Sequence, residues 1–133
     1  EKIDKFVQEN QLDNKVQLLG RLPKSEMDSF WKKQDVFVNI SEYEGTSLSM
    51  LEAMACGTPV ITGNTSAMPE VAGSGALTID PYNPQEIADA LLRLETDEYL
   101  YQEQEAYGLT RVKQFSWAKT ADELVNLYHS IKL

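Results

Sequence analysis

Residues 41–63, Ser41 to Gly63, read SEYEGTSLSMLEAMACGTPVITG, and the fold follows from how that stretch is parsed. A β-branched run ending at Ile40 enters a turn carrying an acid, a glycine and hydroxyls: Glu44, Gly45, Thr46 and Ser47. A short helical segment comes next, then Gly57, Pro59 and a second apolar run. Strand, polar loop, helix, strand is the unit in which a loop and a helix N-terminus meet at the carboxyl end of a parallel sheet, where open α/β sheets place their ligands. Gly57 is placed to end the helix in a left-handed conformation, and Pro59 prevents its continuation.

The helix inside the stretch carries an anomaly. At about 100° per residue, Leu48, Met50, Leu51, Ala53, Met54, Ala55 and Cys56 point in nearly every direction, which predicts a helix buried all round. Cys56 then reads as inert packing. Glu52 lies between the directions of Leu48 and Cys56, and a carboxylate in such surroundings needs a partner. Two uses fit it. Ser49-x-x-Glu52 has the spacing of a capping box, which would return Glu52 to the Ser49 amide. If the helix instead begins near Ser47, Glu52 is free for a ligand hydroxyl and the amides before the helix face an anion.

Outward from this centre, apolar runs and turn signals predict parallel strands at about Val16, Val36, Val60 and Leu77, with Val16–Leu19 buried on both faces. Between them fall helices. One carries Ile3, Phe6 and Val7 and breaks at Asp13-Asn14; another is capped by Ser25 and Asp28, with Met27, Phe30 and Trp31 inward. Gly63 to Gly75 is a loop with a helical turn at Pro69–Ala72, where Glu70 reads as a cap or salt-bridge residue. Asn83 and Pro84 start an amphipathic helix with Ile87, Leu91 and Leu94 on one stripe. A helix over about Asp97 to Lys113 packs Tyr99, Tyr101 and Tyr107. The last, capped by Ser116, turns Trp117, Ala121, Leu124, Tyr128 and Ile131 inward. Strands separated by helices, with no hairpin signals, give an α/β fold with a parallel sheet and right-handed crossovers.

Composition sets bounds. The chain has 133 residues, 42% of them hydrophobic, enough for one core and one domain. A formal net charge of −9 disfavours nucleic acid and anionic membrane as direct partners. One cysteine excludes an internal disulfide, and no run reaches the ~20 apolar residues of a membrane span. His129 stands alone as a surface or packing residue. No metal-ligand spacing occurs, so a metal is not expected.

Glu44 and Glu52, separated by seven residues and followed by Ala-Met-Ala-x-Gly-x-Pro-Val-Ile, resemble the signature of retaining glycosyltransferases of the glycosyltransferase-4-like group, the group 1 family of GT-B architecture. VQLLG at 16–20 with Leu22, DVFVNIS at 35–41, MPEVAG at 68–73 and FSWA at 115–118 resemble further motifs of that family, in its order. The resemblance implies a Rossmann-like parallel sheet with helices on both faces. It also implies that residues 1–133 are a partial, C-terminal, nucleotide-sugar-binding domain, beginning beyond a loop that bears an arginine and a lysine for the donor phosphates.

The same resemblance implies a function and roles. The complete enzyme would move a hexose-type sugar from a nucleotide diphosphate to an acceptor hydroxyl on a glycan, polysaccharide or lipid-linked acceptor held by a missing N-terminal domain. Glu44 would hold sugar hydroxyls at the reacting carbon as the catalytic residue. Gly45, Thr46, Ser47 and Leu48 would take the diphosphate, and Glu52 the ribose hydroxyls. The family match favours this use of Glu52 over the capping box. No cofactor beyond the donor is implied. The loop Gly20–Leu22 is the place for the base, or an ordinary turn. Localisation would be cytoplasmic, or membrane-peripheral in the complete protein. Thr46 and Ser47 stand where many members carry an aromatic residue and a glycine, which leaves the donor sugar open. A nucleotide-sugar epimerase of similar fold and a non-catalytic nucleotide-sugar-binding module are the alternatives.

Overall fold

Three short parallel strands order the architecture in the computed structural model, which describes residues 2–131. The elements run α1 Lys2–Glu9, α2 Lys24–Trp31, β1 Phe37–Asn39, α3 Leu48–Ala55, β2 Val60–Gly63, α4 Met68–Ala72, β3 Leu77–Ile79, α5 Pro84–Thr96, α6 Glu98–Val112 and α7 Trp117–Ser130. The chain divides into two compact units, residues 1–30 and residues 31–133. The first holds α1, whose one buried side chain is Val7, a turn through Gln11 at φ 54°, and most of α2. The second holds the sheet.

The sheet order is β1-β2-β3. Phe37 pairs with Val60, Asn39 with Thr62, Ile61 with Leu77 and Gly63 with Ile79, all in parallel register. Each crossover passes through a helix, as the alternation of strand and helix predicts. Successive side chains on a strand point to opposite faces. Ile61 and Ile79 enter a core with Ala90 and Leu94 of α5 and Leu100 of α6, joined by Val36, Val38 and Tyr101. The alternate set, Asn39, Val60 and Thr62, is buried as well, on the face where α3 meets β1 and β2. Both faces are therefore covered, as befits a parallel sheet.

Five expectations need correction. Val16–Leu19 is not a strand: it is unpaired, and Val16, Leu18 and Leu19 are exposed. An apolar run becomes a strand only by sharing a ladder, and the described residues of the first unit contain no other strand. Helix α3 is not buried all round: Met50, Leu51, Ala53 and Met54 are, while Leu48, Glu52, Ala55 and Cys56 are exposed. The sheet and α6 cover one side of a short helix, and the stripe i, i+4, i+7 lies opposite. Cys56 is accordingly an exposed thiol, not packing. The apolar stripe of α7 is not turned inward: Trp117, Leu124, Tyr128 and Ile131 are all exposed and α7 buries no residue. Of the α6 tyrosines only Tyr101 packs, its hydroxyl donating to the Asp35 carbonyl at 2.9 Å, while Tyr99 and Tyr107 are exposed.

Local signals held elsewhere. Gly57 ends α3 at φ 79°. Asn83 caps α5 by accepting from the Gln85 amide, with Pro84 in its first turn, and Ser116 caps α7 by accepting from the Lys119 amide. Gly108 of α6 lies so close to α3 that a Cβ there would stand 3.3 Å from Met54 Cγ. No helix among the described residues is long and apolar enough to cross a membrane.

Candidate functional site

The loop between β1 and α3 lies at the carboxyl end of the sheet, and its geometry starts with the cap. Ser47 is the N-cap of α3: its backbone is extended at φ −88° and ψ 93°, and its hydroxyl accepts from the Met50 amide at 3.4 Å. The Leu51 amide closes the first helical turn on the Ser47 carbonyl. Of the two uses left open by the sequence, the Ser49 capping box is thus not formed, and the helix begins where the alternative placed it. The amides of Thr46, Ser47 and Leu48 precede the first intrahelical bond, so the positive end of the helix opens into this loop.

Glu44 is half-buried in the same loop. Its Oε1 accepts from Ser41 Oγ at 2.8 Å and from Asn39 Nδ2 at 3.1 Å. Its amide donates to Ser66 Oγ at 3.0 Å and its carbonyl accepts from the Ala67 amide. Ser66 adopts a left-handed φ of 52° to do this. Burial pushes the Glu44 carboxyl up, but hydrogen bonds from Ser41, Asn39 and Ser47 outweigh it and hold the group below the ordinary carboxylate range.

Glu52 departs from expectation in a useful way. Its carboxylate is exposed, not buried, and Oε2 accepts from the Trp31 indole nitrogen at 3.2 Å. Trp31 is buried and stacks edge-on against Phe37 with ring centroids 5.1 Å apart. The indole thus anchors one oxygen while the rest of the carboxylate borders a cleft of about 670 Å3. Thr46, Leu48, Leu51, Phe115 and Trp117 line that cleft with it.

The structure therefore brings Glu44, Gly45, Thr46, Ser47 and Leu48 into one turn, with Glu52 a helical turn further on. Gly45 and Thr46 are exposed and Ser47 is buried. Glu70 lies exposed on α4, where its carbonyl accepts from the Arg111 guanidinium. Sequence reading missed Asn39, Ser66 and the donor role of Trp31. For Asn39 a signal existed: it is the polar member of the apolar run Val36-Phe37-Val38-Asn39-Ile40. Among the described residues no group of three or more histidine, cysteine or acidic side chains could hold a metal ion.

Comparison with known proteins gives the family and the fold. The model of the family described as glycosyl transferases group 1 matches residues 1–111. The O-antigen chain mannosyltransferase B of Escherichia coli is 34% identical over 113 residues, covering 85% of this chain and 30% of that protein. Sucrose-phosphate synthase from Thermosynechococcus elongatus superposes with a TM-score of 0.85 at 28% identity, over 96% of this chain and 33% of its own. The Anabaena protein HepE, solved in complex with UDP-glucose, superposes with a TM-score of 0.86 at 19% identity, over 98% of this chain and 36% of its own. The chain thus spans about a third of the length of each of these three proteins.

Proposed function

Because the chain belongs to the glycosyl transferases group 1 family, we propose that it is the C-terminal, donor-binding part of a retaining glycosyltransferase that moves a hexose-type sugar from a nucleotide diphosphate to an acceptor hydroxyl. The observation that carries the reading is the start of α3 at Leu48 under a Ser47 cap. It sets two carboxylates and the first helical amides around one helix end. UDP-glucose bound to HepE supports a nucleotide-sugar donor here by likeness of fold.

In this reading the bond between the anomeric carbon and the diphosphate oxygen breaks, its electrons pass to the diphosphate, the acceptor oxygen bonds the same carbon, and the acceptor's proton passes to the departing diphosphate. Negative charge grows on the departing diphosphate and positive character on the sugar. Amides of Thr46, Ser47 and Leu48 face the first charge, with the exposed Thr46 hydroxyl beside them, while the buried Ser47 hydroxyl stays in the α3 cap. Glu44 faces the second. Its Oε1 is held by Asn39 and Ser41, so Oε2 takes the sugar hydroxyls. Glu52 accepts from the ribose hydroxyls, steadied by Trp31, as acidic residues do in dinucleotide folds. No cofactor beyond the donor enters, and the acceptor, sugar or lipid-linked, is bound outside these 133 residues.

The test is donor-dependent transfer by the full-length protein with a panel of nucleotide sugars. An epimerase would convert donor without acceptor, and a binding module would do neither. Within the full-length enzyme, Glu52→Ala removes charge-assisted hydrogen bonds worth roughly 1.5–3 kcal/mol and should raise the donor KM most. Glu44→Ala should lower kcat more, because its contacts strengthen as charge develops. Equal rises in KM with kcat intact for both would remove Glu44 from the transition state.

A further inference from the structure

Asn39 closes β1 at the point where the strand delivers the chain into the site, and it is an unusual residue for that place. Its side chain is buried, with 8% of the residue exposed. Its Nδ2 donates to Ser47 Oγ at 2.8 Å and to Glu44 Oε1 at 3.1 Å. Its Oδ1 accepts from the Ser41 amide at 3.1 Å and lies 2.9 Å from Ser41 Oγ. Both Nδ2 hydrogens are thereby used. The single Ser41 hydroxyl hydrogen goes to the charged Glu44 oxygen at 2.8 Å, since a bond to an ionised acceptor is the stronger one. Turning the carboxamide over would set its oxygen against the Glu44 carboxylate and its NH2 against the Ser41 N–H, so one orientation alone satisfies the cluster.

An apolar residue of similar size would serve the strand and its packing better. What Asn39 adds is connection. Through one rigid planar group it ties the carboxylate of Glu44 to the hydroxyl that caps α3. We infer that Asn39 is a positioning residue that locks Glu44 to the α3 cap, so that the sugar-binding carboxylate and the phosphate-facing helix end keep one fixed relative geometry; this rests on the donor-site reading above. The hydrogen bond it gives is also among those that keep Glu44 ionised against the cost of its burial.

The test uses the full-length protein and follows turnover of a nucleotide diphosphate sugar, read as transfer or as hydrolysis to free sugar and nucleotide diphosphate, across pH. Asn39→Asp keeps the shape but replaces the donor with a second carboxylate facing Glu44, which disfavours the ionised form of Glu44. Expected are an acid limb of kcat moved upward by about one pH unit or more, a kcat near neutrality down by about tenfold, and a donor KM nearly unchanged. Asn39→Leu removes the donor without adding charge, suits a buried strand, and should move the same limb less. A purely structural Asn39 would leave the acid limb of kcat fixed in both variants and show only a change in the thermal midpoint. That result, obtained with Glu44→Gln strongly impaired, overturns the positioning role and leaves the donor site standing. A Glu44→Gln enzyme with undiminished kcat overturns the donor-site reading, and this inference with it.

Discussion

Thr62 shows what the core has conceded around the site. It is fully buried on β2, directly beside Asn39 in the parallel register, and its Oγ1 has no hydrogen-bond partner among the described residues. An unpaired buried hydroxyl costs about 1–3 kcal/mol, and valine has the same outline with a higher strand preference. Thr62→Val should therefore raise the thermal midpoint, read by calorimetry; a fall would show that the hydroxyl has a partner. Glu44 behaves in the opposite sense. Its folded pKa lies below its unfolded one, so it adds stability above the ordinary carboxylate range that is lost as pH falls through the folded value. Glu44→Gln should flatten the acid side of the stability curve by lowering stability at neutral pH, and leave stability little changed once the carboxyl of Glu44 would be protonated. The acidic positions themselves were legible in the sequence from their spacing and neighbours. Their surroundings were not, because the carboxamide of Asn39 and the indole of Trp31 come from positions 5 and 21 residues away.

Helix α3 is where local rules and tertiary context part company. Its sequence offers two serines that could cap it, and only backbone conformation decides between them. Ser47 is extended and accepts from the Met50 amide, whereas Ser49 lies inside the helix. Ser47→Ala should cost about 0.5–2 kcal/mol, near the upper end because the bond from Asn39 goes as well. Ser49→Ala should change stability by only a few tenths, and chemical denaturation of the pair measures both. Equal losses would restore a capping role to Ser49. The end of the helix, by contrast, was readable outright: Gly57 supplies the positive φ, and Pro59 follows. Periodicity placed Glu52 between Leu48 and Cys56 in direction but read the helix as buried all round. It could not say that Leu48, Glu52 and Ala55 would border an open cleft, since what covers a face is a property of the neighbours and not of the helix.

The same limit operates on the molecule as a whole. Alternation of strands and helices was enough to give a parallel α/β sheet, because each crossover is encoded locally by one helix. The run Val16–Leu19 and the stripe of α7 were recognised as apolar, yet both are exposed here, and pattern alone carries no information about partners. The 133 residues span about a third of the length of the O-antigen mannosyltransferase and of the sucrose-phosphate synthase compared above, and that proportion bears on activity. Transfer requires the acceptor to be held against the anomeric carbon, and such positioning is worth roughly 7–11 kcal/mol of the barrier. In the proposed reading the amides at the start of α3 meet the diphosphate on a body of net charge −9, which opposes an anionic donor over the Debye length. Tested by themselves, the 133 residues should be catalytically silent and should bind nucleotide sugars only weakly, about millimolar, a free energy near −4 kcal/mol. Chemical-shift perturbation should localise that binding to Glu44 through Glu52, and it should weaken in Glu52→Ala. Sugar transfer by the 133 residues alone, or micromolar binding remote from α3, would overturn both the reading of the chain as a donor-binding part and the residue roles built on it.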